Sequence, residues 1–169
     1  MNSAKHHWLR ALGAGAGLAS VFSFGAPALA ATTSANFTVS ATVVAACVTS
    51  ATNMGFGNYT ASSGSPDNTT STVSVTCSNN DAYTIALNAG NSGNVAARTM
   101  LNGTHTLGYG VYTTSGYATI WGDGTNGSST VGGTGNGAAQ SYTAYGQVPT
   151  AEYSAAGSYS DTLTATVTF

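Results

Sequence analysis

Read in steps of two, the stretch Asn36 to Cys47 (NFTVSATVVAAC) places Phe37, Val39, Ala41, Val43, Ala45 and Cys47 on one face and Thr38, Ser40 and Thr42 on the other. That alternation is the period of a β-strand with one buried face. The same period recurs along the chain. Ser71 to Cys77 alternates through Val73, Val75 and Cys77, and Ala82 to Asn88 through Tyr83, Ile85 and Leu87. Thr106 to Thr113 carries Leu107, Tyr109 and Val111 on one face, and Ala118 to Trp121 and Ser141 to Val148 add further short strands. Ser158 to Phe169 alternates Tyr159, Asp161, Leu163, Ala165, Val167 and Phe169 with hydroxyl residues. Glycine, asparagine and proline separate these segments at turn spacing, as at Asn102-Gly103. Gly122 to Gly137 holds seven glycines in sixteen residues and reads as a long exposed connection.

No helix is expected beyond the first thirty residues. Those residues have the layout of a secretory signal: Lys5 and Arg10, an apolar run from Ala11 to Phe24, then Pro27-Ala28-Leu29-Ala30 with cleavage expected after Ala30. The apolar run is short and broken by glycine, below the roughly 20 residues of a membrane span, so no membrane insertion is expected after the signal is removed. The remaining 139 residues suffice for one domain with its own core. About seven short strands in that length predict an all-β, two-sheet sandwich of immunoglobulin type.

Removal of residues 1–30 leaves a single base, Arg98, against five acids, Asp67, Asp81, Asp123, Glu152 and Asp161, a net charge of −4. Nucleic acid is excluded as a partner, because phosphate binding needs clustered Lys and Arg. Both cysteines, Cys47 and Cys77, remain, and an even count in an exported chain predicts one disulfide. Two thiols and the one remaining imidazole, His105, make no metal set, and no cofactor is indicated. With a single histidine no Ser-His-Asp constellation is suggested, so no catalytic residue and no enzyme is expected. The aromatic residues, Trp121 included, are expected in the core or in cross-strand pairs, and the alternative use for exposed ones is a sugar platform.

Strongly alternating segments at both ends raise the question of which core the first one enters, since a sandwich that omits a strand exposes an unpaired edge. The ordered blocks FTVSATVVAACVTSATNMGFGNYT, STVSVTC, YTIALNAG, LGYGVYT, TIWGDGT, AYGQVP and AGSYSDTLTATVTF closely resemble the spore coat protein U family, which includes subunits of archaic chaperone-usher pili of the Csu type. The resemblance implies an incomplete immunoglobulin-like β-sandwich completed by donor-strand exchange. Residues 31–46 would be the donor segment, with Thr33 to Ala45 as the strand and Phe37, Val39, Ala41 and Val43 filling a neighbour's groove. Residues 47–169 would be the pilin domain, with Leu163, Ala165, Val167 and Phe169 on the groove wall and chaperone-facing edge. Implied partners are identical or sister pilin subunits, a periplasmic chaperone and an outer-membrane usher. The implied location is a cell-surface pilus reached through the periplasm, serving adhesion and biofilm formation. The chain leaves no room for the extra N-terminal domain of tip adhesins, so a shaft or adaptor subunit is expected. The alternative is a secreted monomeric carbohydrate-binding or spore-coat structural protein.

Overall fold

The structure, a computed structural model, describes Gly25 and residues 29–169. Nearly all of the expected signal segment lies outside the described residues. The chain divides into two units, up to Ser40 and from Ala41 onward. In the first, residues 29–40 form no helix or strand, and Phe37 and Val39 are exposed.

The second unit contains eight strands and one short 3-10 turn. β1 (Cys47–Ala51), β2 (Asp67–Cys77), β3 (Ala82–Leu87), β4 (Arg98–Asn102), β5 (His105–Tyr112), β6 (Val131–Thr134), β7 (Gln140–Val148) and β8 (Ala165–Thr168) follow in order, with the turn at Gly90–Ser92. They form a five-stranded sheet, β1-β2-β7-β5-β4, and a three-stranded sheet, β6-β3-β8. Every strand pairing is antiparallel. The fold is the expected all-β, immunoglobulin-like sandwich.

The alternation seen in sequence builds the core directly. Val73 and Val75 of β2, Tyr83, Ile85 and Leu87 of β3, Leu107, Tyr109 and Val111 of β5, and Ala144 and Val148 of β7 form one buried cluster. Each large side chain so buried contributes roughly 1.5–3 kcal/mol. Trp121 joins them, fully buried, with Nε1 donating to the Ile85 carbonyl at 3.0 Å, so it is core and no sugar platform.

Asn36 to Ala46 lies outside any strand of this chain, and β1 begins at Cys47. Two expectations need correction. Gly122 to Gly137 is not an open connection. It contains β6, which pairs with β3, and its Gly135 packs so closely on Cys77 and Ser78 that a Cβ would collide there. Glycine here serves close packing rather than freedom. The last strand is regular only over Ala165–Thr168, although side-chain exposure alternates from Tyr159 onward. β4 was not foreseen, since Arg98 interrupts its apolar pattern.

Arg98 is 1% exposed, and its guanidinium donates to the carbonyls of Asn88 (2.7 and 3.0 Å), Leu87 (3.3 Å) and Trp121 (2.9 Å). It thereby ties β4 to the end of β3. Burial lowers its pKa, while Tyr109, Asp161 and Asp123 oppose that shift.

Cys47 and Cys77 lie directly opposite in the β1–β2 register and are disulfide-bonded. The bond closes a separation of 30 residues and contributes on the order of 3 to 4 kcal/mol through the unfolded state. Cys47→Ser is therefore expected to lower the denaturation midpoint and the folded yield, measured by urea titration, and an unchanged midpoint would contradict this.

A pH dependence follows from Tyr83. Its hydroxyl is pushed up to about 12, first by burial and then by its bond with Tyr142 at 2.7 Å. A folded pKa above the ordinary value of about 10 means that this stabilisation is complete below pH 10 and is lost as pH rises from 10 through 12. Stability measured across that window should fall, and Tyr83→Phe should reduce the slope, leaving the part due to Tyr109.

Candidate functional site: an open groove beside the last strand

β1 pairs only with β2, and β8 only with β3, so each keeps an unpaired outer edge. Between the chain following β1 and the chain leading into β8 lies a groove of 580 Å³. One wall is Ala51 to Met54 with Phe56, and the other runs from Tyr159 to Leu163 and on to Ala165. The floor is the core itself: Val73, Leu87, Tyr109, Val111 and Ala144 reach the groove from four strands. A second hollow of 720 Å³ lies between residues 54–61 and 152–159 and shares Met54, Phe56, Met100 and Tyr159 with the first. The two together form a long trough.

The residues around the trough are half-buried where a closed sandwich would cover them. Met54, Phe56, Met100, Tyr159, Leu163, Ala165 and Val167 all pack against the core but keep one side uncovered. Met54 and Phe56 are seated over Gly146 of β7, where a Cβ would collide with the Met54 sulfur and crowd the Phe56 ring, and Phe56 meets the Tyr109 ring edge-on at 6.3 Å. These contacts anchor the first wall.

The second wall is anchored by polar bonds instead. Ser160 and Leu101 exchange backbone hydrogen bonds at 2.9 and 3.1 Å. The Asn88 amide donates to the Thr164 carbonyl at 3.1 Å, and the Thr164 amide donates to Asn88 Oδ1 at 2.9 Å. Between them, Asp161 Oδ2 accepts from the Tyr109 hydroxyl at 2.7 Å, and Oδ1 accepts from the amides of Asn91 (2.9 Å) and Thr162 (2.7 Å). Burial, the bond to Asp161 and that carboxylate's charge hold the Tyr109 hydroxyl far above the ordinary tyrosine range, with Arg98 opposing. It remains a neutral donor.

Of the residues singled out in sequence, Leu163 and Ala165 line the groove, and Val167 packs on the core beside it. Phe169, expected on the same wall, lies beyond β8 and is 56% exposed. Phe37, Val39, Ala41 and Val43 are exposed, Phe37 at 86% and Val43 at 89%, and belong to no strand. The contribution of Met54, Phe56 and the Tyr109–Asp161 pair was not foreseen. The available signal was Asp161 itself, the one carboxylate on the apolar face that runs from Tyr159 to Phe169.

The sequence model of the Spore Coat Protein U domain matches residues 33–166. No curated protein matches the chain. Among solved structures it is similar to a chain of the CsuC-CsuE chaperone-tip adhesion subunit pre-assembly complex, from archaic chaperone-usher Csu pili of Acinetobacter baumannii, with 27% identity and a TM-score of 0.51. The similarity covers 76% of this chain and 40% of that one, so this chain spans less than half the length of the solved relative. With four-fifths of its residues matched, from Thr33 to Thr166, and a sandwich like that of a chaperone-usher pilus complex, the chain belongs to the Spore Coat Protein U domain family.

Proposed function

We propose that this protein is a structural subunit, shaft or adaptor, of a secreted chaperone-usher pilus that polymerises by donor-strand complementation and supports adhesion and biofilm formation. Residues 1–30 act as the export signal, residues 31–46 as the donor, and residues 47–169 as the acceptor sandwich. The observation that carries this reading is a complementary pair. A groove with an apolar floor lies open between the segments that flank β1 and β8, and an alternating apolar segment elsewhere in the chain is exposed and unpaired. An extended peptide added at a sheet edge satisfies backbone groups through the ladder and buries every second side chain. Phe37, Val39, Ala41 and Val43 of one copy fill the groove of the next, against Leu163, Ala165 and Val167. Because each contact is head to tail, the product is a filament. Before assembly a periplasmic chaperone occupies the same groove, and an outer-membrane usher exchanges it for the next donor.

The test separates polymerisation from folding. Val39→Asp places an unpaired carboxylate against the apolar floor of the groove, which costs more than the roughly 1.5–3 kcal/mol of losing the valine's own burial. The variant's own sandwich is untouched, so folded subunit should still be recovered with the chaperone while SDS-resistant ladders on an unheated gel disappear. Thr38→Asp, on the opposite face, should retain the ladder. If Val39→Asp polymerises like the parent, or fails to fold with the chaperone, the donor assignment is wrong.

A further inference from the structure

An open groove with an apolar floor has a physical problem of its own. Its walls gain by collapsing onto its floor, and a collapsed groove cannot admit a strand. The first wall resists by wedging Met54 and Phe56 against Gly146. The second wall carries Leu163, which faces the same floor. Its backbone is tied at Ser160 and Thr164, two points that flank Leu163 and leave the residues between them without a strand partner.

We infer that the Tyr109–Asp161 clasp is a positioning device that fixes the height of this wall over the floor and keeps the groove competent for strand entry. The inference rests on the donor-strand reading and deepens it. Three observations converge on it. Asp161 occupies a position that the alternating pattern reserves for an apolar side chain, between Tyr159 and Leu163. Both of its oxygens are taken up, by a core tyrosine on one side and by the Asn91 amide on the other. Its carboxylate also rests directly on Gly90, a residue with φ of 61°, where any Cβ would strike the carboxylate. Gly90 thus supplies a seat that only glycine can supply without strain. A charge-assisted pair of bonds on opposite sides resists displacement of the segment, because moving the carboxylate either way separates it from the Tyr109 hydroxyl or from the Asn91 amide.

The consequence is kinetic as well as energetic. If the clasp sets the fraction of molecules with an open groove, its loss lowers apparent affinity by that fraction and acts on the association rate rather than on dissociation of bound strand. The experiment uses residues 31–169 and, as probe, a labelled synthetic peptide of residues 33–46. Tyr109→Phe removes only the hydroxyl, and Gly90→Ala blocks the seat from the other side. Both should weaken peptide binding about tenfold, the size of one charge-assisted hydrogen bond, with the loss in the association rate. Both should also raise amide hydrogen exchange at Leu163 and Thr164. Tyr83→Phe is the control: it deletes a buried hydroxyl bonded to Tyr142 and Gln140, away from the groove, and should change stability without changing peptide association or wall exchange. Unchanged binding and exchange in both clasp variants overturns the inference, as does an equal loss in the control. If the parent itself binds no peptide, the donor-strand reading falls, and wall exchange still decides whether the clasp holds the wall.

Discussion

The structure turns on the opening beside two of its four terminal strands, β1 and β8. β1 and β8 each make one ladder, and the apolar floor between the segments that flank them is uncovered. An isolated domain with such an opening leaves backbone donors and acceptors unpaired and hydrocarbon wet, both of which natural sheets avoid. The remainder of the chain is organised around tolerating that opening. Core residues from four strands supply the floor, and the disulfide clamps β1 to β2 at the point where the strands begin.

The two walls solve the same problem with different chemistry. Met54 and Phe56 are held by shape, against a glycine in the strand beneath. The segment from Ser160 to Thr164 is held by hydrogen bonds that reach sideways to β4, to the 3-10 turn and to Tyr109. Arg98 reinforces the second arrangement from behind. It binds the carbonyl of Asn88, the residue that secures Thr164, and its buried charge stands beside Tyr109 and Asp161. The single cation of the described residues is therefore spent inside the fold.

Sequence pattern alone revealed the parts of this design that are periodic. The core faces of β2, β3, β5 and β7 were legible because every second residue is apolar and buried. The disulfide was legible from cysteine count and export. The parts that were not legible depend on tertiary partners. The Phe37 to Val43 alternation resembles any other strand, and nothing local distinguishes a strand that pairs within its chain from one that does not. Gly135 looks like freedom in sequence and turns out to be close packing against Cys77 and Ser78. Asp161 looks like an interruption of a strand, and only the fold brings Tyr109 and Asn91, distant in sequence, to its two oxygens.

The central claim is that the groove of one copy is filled by the first segment of another. A mixed-label cross-link addresses it most directly. Val43→Cys is prepared in ¹⁴N protein and Leu163→Cys in ¹⁵N protein, the two are assembled together under oxidising conditions, and the bridged peptides are weighed. The account predicts bridges between a light residue 43 and a heavy residue 163 that accumulate as SDS-resistant polymer forms. Polymer that forms with no such bridge, or with residue 43 joined only to another residue 43, would contradict it.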